Sequence, residues 1–175
     1  MSAPQIRVRS RQDLARQRRR RGHRCWDHLI VAPLWPMHGV NLGTLLRTCD
    51  AVGACLAVPR LPWVPEALAR GNTLRRPACV HWADGRDPCR WLAAQRSDGA
   101  RVIGVELAEE SIRLADLPAA RQLTIAVLGH ERTGIPPEAL GLLDAAVEIP
   151  MVGTGASLNV AVAGSLVLYR LAGLL

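Results

Sequence analysis

Lysine and phenylalanine are absent from this 175-residue chain, and tyrosine occurs once. With five Trp as the only other aromatics, a core must be built from Ala, Val, Leu and Ile. The five cysteines (25, 49, 55, 79 and 89) contain no C-x-x-C pair and are odd in number. Those features exclude a zinc ribbon and a secreted disulfide framework as working readings, and point to reduced thiols in a cytoplasmic protein. No stretch reaches the ~18 consecutive apolar residues of a membrane span, so no membrane role is expected. The Arg run at 18–21 precedes only a short apolar piece, which does not make a signal peptide. Residues 1–24 also hold too few apolar side chains for an amphipathic transit helix.

What is present is 49% hydrophobic and 21% charged, a balance that supports a folded core in one domain carrying an arm. All 22 basic residues are Arg. Residues 1–24 hold nine of them against the single acid Asp13, a net of +8; the remaining 151 residues hold 13 Arg and 14 acids, a net of −1. The formal charge of +7 therefore resides in the arm. The chain divides into a basic, disordered or weakly helical arm (1–24) and a near-neutral domain (25–175).

Within the domain, short apolar runs alternate with helical patterns. Strands are expected at His28–Ala32, Cys55–Pro59, Ala78–Trp82, Arg101–Val105, Leu123–Leu128 and Ala146–Ile149. Helices are expected at 42–52, 63–70, 88–96, 137–144 and 157–172. Alternation with near-continuous apolar strands predicts an α/β fold, a mostly parallel sheet with helices on both faces. In 42–52 the stripe Leu42, Leu45, Leu46, Cys49 and Val52 has helical spacing, with Asn41 at the N-cap and Arg47 on the opposite side. Helix 157–172 is apolar nearly all round, which predicts cover from more than one side and fits a second subunit.

Polar residues cluster in three segments at strand–loop–helix junctions. They are Asn41-x-Gly43-x-x-x-Arg47, Gly129-His130-Glu131-Arg132-Thr133-Gly134, and Ile149-Pro150-Met151-x-Gly153-x-Gly155-x-Ser157-Leu158-Asn159. In an open α/β sheet ligands bind beyond the carboxyl ends of the strands, so the last two segments are placed to share a crevice. Taken singly, each has an ordinary structural explanation: a cap, a solvated charge, a turn or a hinge. His81 and His130 have no partner at metal-ligand spacing, and no metal is expected.

Together, and in this order, NLGTLLRTCDAVG at 41–53, LGHERTG at 128–134 and IPMVGTGASLNVAVAGSLVLY at 149–169 resemble the signature motifs of the SPOUT-class RNA ribose methyltransferases of the SpoU (TrmH-like) family. The resemblance spans roughly residues 27–172. It implies an S-adenosyl-L-methionine-dependent enzyme methylating a ribose 2′-hydroxyl in tRNA or rRNA, with tRNA preferred for a short chain. It further implies a C-terminal deep trefoil knot (the SPOUT fold) and a homodimer formed through the C-terminal helix. By motif position, Val105, Glu106, Gly129, Ile149, Ser157 and Leu158 line the cofactor site. Arg47 matches the family's catalytic arginine and Asn41 its partner asparagine; Glu131, Ser157 and Asn159 match the remaining polar residues of the site. A guanidinium hardly ever deprotonates in a protein, so Arg47 is expected to grip the adjacent phosphate and stabilise the developing alkoxide, with Asn41 orienting it.

Two other readings stand beside this one. The first is a catalytically silent, knotted RNA-binding or ribosome-assembly factor, against which the intact polar set counts. The second is a nucleotide-dependent oxidoreductase, for which Gly153-x-Gly155 lacks both the third glycine and the acidic residue about 20 positions on. The arm is read in two ways, as a source of phosphate contacts that strengthen RNA binding without specifying sequence or as a solvated tail of no consequence.

Overall fold

Seven short strands, apolar almost throughout, lie side by side in one sheet. The computed structural model describes residues 28–74, 79–84, 86–155 and 157–175. The basic arm, Cys25 and Ala78 lie outside the described residues. The strands are β1 (Leu29–Pro33), β2 (Cys55–Pro59), β3 (Val80–Ala83), β4 (Arg101–Val105), β5 (Ile112–Arg113), β6 (Thr124–Leu128) and β7 (Ala145–Glu148). Their order is β3-β2-β1-β6-β4-β7-β5, and every pairing is parallel.

Every residue of β1, β2 and β6 is buried, because both faces of the sheet are covered and neither leaves room for a polar alternation. The period-two geometry of a strand still sorts them. Leu29, Val31, Leu56, Val58, Ala126 and Leu128 pack with Leu42, Leu45, Val64, Leu68, Val167 and Leu168 from α1 (Gly39–Val52), α2 (Val64–Gly71) and α5 (Val160–Leu171). Ile30, Ala32, Cys55, Ala57, Ile125 and Val127 turn to the other face. They meet Leu92 of α3 (Pro88–Ser97) and Ala139 of α4 (Pro137–Leu140).

Several boundaries differ from expectation for identifiable reasons. α1 begins at Gly39, with His38 as N-cap, so Asn41 lies inside the first turn rather than capping it. Gly53 closes α1 in the left-handed conformation (φ 77°), its N–H bonded to the Cys49 carbonyl. α4 stops at Leu140 instead of continuing to 144. Asp144 is needed elsewhere: its carboxylate accepts the Val102 N–H at 2.8 Å and pairs with Arg96 at 3.0 Å. α5 starts at Val160 rather than 157, with Asn159 as its cap. β5 has only two residues and pairs with β7 alone, too short a run to carry a periodic signal. No helix among the described residues is long and apolar enough to cross a membrane.

Candidate active site

The chain leaves β1 through α1 towards β2 on one side, and leaves β6 through α4 towards β7 on the other. β1 and β6 are neighbours, paired from Leu29↔Thr124 to Pro33↔Leu128. Their carboxyl ends therefore form a topological switch point, where departing loops diverge and leave a crevice. The three polar segments meet there.

Glu131, in the loop after β6, reaches the segment leading into α1. Its carboxylate accepts the backbone N–H of Met37 at 2.8 Å, that of His38 at 3.1 Å, and Asn41 Nδ2–H at 3.0 Å. Asn41, buried, uses its other amide atom to accept Asn159 Nδ2–H at 3.1 Å. Asn159 in turn caps α5, its Oδ1 accepting the N–H of Ala161 at 2.9 Å and of Val162 at 3.3 Å. One hydrogen-bond chain thus runs Glu131–Asn41–Asn159–α5 through all three segments. Thr48 and Ser165, 2.8 Å apart between α1 and α5, extend the polar contact between these helices.

Partial burial pushes the Glu131 carboxyl up, but the hydrogen bonds from Asn41, its own backbone, Met37 and His38 outweigh it, and the net shift is downward. Glu131 is thus an ionised acceptor, unsuited to taking a proton near neutrality. A carboxyl lowered on folding contributes stability that is complete above its ordinary value of 4.5 and disappears as pH falls through the lower folded value. Glu131→Gln should therefore lower the melting temperature at pH 7 and flatten the loss of stability on acidification below that range. Melting curves at several pH values check this; a variant that loses stability in acid as steeply as the parent refutes it.

Arg47 does not join the chain. It is six residues beyond Asn41, which on a helix means about 9 Å along the axis and a third of a turn round. It is exposed, and with Gly39, Val40, Gly43 and Thr44 it faces Ala67, Arg70, Gly71 and Thr73 across an open groove of about 510 Å³ between α1 and α2. The expectation that Asn41 orients Arg47 is not met within this chain: the Asn41 amide bonds Glu131 and Asn159, and no hydrogen bond joins it to Arg47. Ser157 and Leu158 are exposed in the loop before α5.

The residues expected to line a cofactor stand at one level of the sheet. Val105 pairs with Leu128 and with Val147, which sets Val105–Glu106, Gly129 and Ile149 at the carboxyl ends of three adjacent strands. Glu106 ties down the neighbouring loop, its carboxylate accepting Ile135 N–H at 2.9 Å and Leu107 N–H at 3.1 Å. Gly129 is required by that loop: a Cβ there would stand 2.5 Å from the Ile135 nitrogen. Gly134 closes it with φ 71° and two 2.9 Å bonds exchanged with His130.

Sequence reasoning missed two features. The Met37 and His38 amides that hold Glu131 carry no side-chain signal. His81 does have partners: its Nε2 is 3.6 Å from Cys79 Sγ, and Cys55 Sγ completes a group within 4.8 Å. Cys79-x-His81 is legible as one strand face once β3 is recognised.

Known proteins resemble the chain throughout this region. A family model described as the SpoU rRNA Methylase family matches residues 29–169. The tRNA (guanosine(18)-2′-O)-methyltransferase of Escherichia coli K12 is 31% identical over 74% of this chain and 56% of its own length. The chain spans less than two thirds of the length of the curated relatives it matches. Among solved structures, the Aquifex aeolicus TrmH/SpoU tRNA modifying enzyme superposes with a TM-score of 0.72 at 26% identity, covering 93% of this chain and 82% of that one. An AdoMet-bound rRNA methyltransferase from Sinorhizobium meliloti gives 0.68 at 26% identity, over 87% of this chain and 58% of that one. Three motif segments joined at the switch point of a parallel sheet, and a match from β1 to α5, place this chain in the SpoU rRNA methylase family.

Proposed function

We propose that this protein uses S-adenosylmethionine to methylate a ribose 2′-hydroxyl of RNA, with tRNA as substrate. The observation that carries the reading is the Glu131–Asn41–Asn159 chain, which locks the three segments together at the edge of the sheet where a ligand crevice opens. The relatives' names and the AdoMet-bound S. meliloti structure support the donor and the substrate class.

The residues at the strand ends fit S-adenosylmethionine. Ile149, Met151 and Leu158 offer partly or largely exposed apolar side chains, and Ser157 an exposed hydroxyl. Gly153 and Gly155 keep backbone groups approachable, with open space around both. Val105, Glu106, Gly129, Ile149, Ser157 and Leu158 would hold the cofactor, which when bound supplies an electrophilic methyl group.

The protein's own residues divide the remaining work. Glu131 stays ionised and fixes Asn41; Asn41 fixes Asn159; and Asn159 anchors the first turn of α5 beside the cofactor loop. Arg47 holds an RNA phosphate and stabilises the developing alkoxide through the planar fork of its guanidinium. The proton of the hydroxyl leaves to solvent. Catalysis then rests mainly on alignment of the hydroxyl with the methyl group.

The strand order supports the family's trefoil knot. The chain passes β4 twice, from β5 back to β6 and from β6 out to β7, before α5 returns to pack on α1. The chain works as a cytoplasmic homodimer through α5, whose Val162 is 48% exposed, and the second subunit brings a guanidinium and a cofactor loop together. The basic arm, 1–24, adds phosphate contacts ahead of the domain 25–175.

The test is transfer of labelled methyl groups from S-adenosylmethionine to unmodified tRNA and rRNA transcripts, with nucleosides resolved by mass spectrometry. One 2′-O-methylnucleoside in tRNA is the expected result. Cofactor binding without transfer to any RNA would overturn the enzymatic reading in favour of a silent RNA-binding factor.

A further inference from the structure

β2 and β3 run parallel in the register Leu56↔Val80 and Ala57↔His81, which sets Cys55 beside Cys79 at the amino ends of both strands. Alternation along each strand sends Cys55, Cys79 and His81 to the same face, the one covered by α3. Cys55 is fully buried there among apolar neighbours, while Cys79 and His81 are half-buried. Two sulfurs and a ring nitrogen lie within 4.8 Å of one another, with Cys79 Sγ 3.6 Å from His81 Nε2. Zinc bonds of about 2.3 Å to sulfur and 2.0–2.1 Å to nitrogen, at a tetrahedral angle, put those two atoms about 3.6 Å apart.

We propose that Cys55, Cys79 and His81 bind one thiophilic divalent cation, zinc by the chemistry of its donors, and that the ion clamps edge strand β3 to β2. Thiolate and imidazole together select zinc over the oxygen-seeking magnesium and calcium. On binding, each thiol releases its proton to solvent, and the neutral imidazole binds through Nε2. Two thiolates cancel the charge of the dication, so the complex is neutral, which an apolar face accepts where an uncompensated ion would be costly. A water completes the tetrahedron. The cluster lies at the amino end of the strands, the opposite edge from the Glu131–Asn41–Asn159 chain, so its role is structural and independent of methyl transfer.

Metal content of the full chain, purified under reducing conditions with zinc present and then desalted, tests the proposal. Elemental analysis should find close to one zinc per chain, falling to background in Cys79→Ser and in His81→Ala. Cys89→Ser, on α3 outside the group, should keep the full amount. Because a core substitution can disturb folding, the unaltered protein is also titrated with cobalt(II), where intense sulfur-to-cobalt charge-transfer absorption saturating at one equivalent is expected. Zinc absent from the unaltered protein would overturn the proposal, as would content unchanged in Cys79→Ser, cobalt bound without charge-transfer bands, or a Cys55–Cys79 disulfide in the reduced protein.

Discussion

Arg47→Ala should lower methyl transfer by about 10²–10³-fold, the cost of removing one donor aimed at developing negative charge. Its folded stability should stay within about 0.5 kcal/mol of the parent, because the side chain is exposed and no hydrogen bond or ion pair joins it to another described residue. Arg70 in the same groove is engaged with Glu66. Among the described residues lining this groove, Arg47 is thus the cation left available to an incoming phosphate. The expected signature is a parallel fall in kcat and kcat/KM if the guanidinium acts only as the alkoxide forms, with a rise in KM added if it also grips ground-state phosphate. Arg47→Lys separates geometry from charge. A bidentate clamp predicts that lysine recovers little of the lost rate, since an ammonium is a point charge without the planar fork. Methyl-transfer kinetics with melting curves on both variants decide the matter, and an alanine variant of parental activity would remove Arg47 from the mechanism.

The sheet was legible because its strands are buried on both faces. Runs such as LIVAP and TIAVL are too short and too apolar to be anything else between turn residues, and all six expected strands are present, whereas the two-residue β5 was not expected. Helix starts were less legible. Asn41 is a better cap than His38 by side chain, yet α1 begins earlier because Gly39 packs against Ala67 and Trp63, a tertiary contact that local propensity cannot register. Ser157 and Asn159 are both good capping residues; Asn159 caps α5 because its other amide end is held by Asn41. The polar chain itself joins positions 90 and 118 residues apart, so only the resemblance of motifs linked them in advance. The placing of Cys55 beside Cys79 and His81 was invisible for the same reason, since cross-strand register is a property of the fold.

The steepest loss of stability should come from the crossing of α1 and α2. Gly43 and Gly71 meet there backbone to backbone: a Cβ on Gly43 would stand 2.6 Å from the Gly71 Cα, and one on Gly71 closer still to the Gly43 Cα. Carbon atoms at rest lie about 3.5–4.0 Å apart, so even alanine at position 71 must push the helices apart by roughly 1 Å. No rotamer change relieves this, because both partners are main chain. Overpacking of this kind costs about 1–3 kcal/mol, and for a chain of this size the melting temperature falls about 2–4 °C per kcal/mol. Gly71→Val should be worse than Gly71→Ala. Both glycines also line the groove that holds Arg47, so a crossing that survives in a splayed form should lose activity below the melting temperature as well. Gly141 is the internal control. An added Cβ there meets nothing within 4 Å and its φ is −66°, so Gly141→Ala should be neutral or raise stability by up to about 1 kcal/mol. Calorimetry on the three variants gives the comparison, and a Gly71→Ala protein as stable as Gly141→Ala would mean that α1 and α2 cross farther apart than the structure has them.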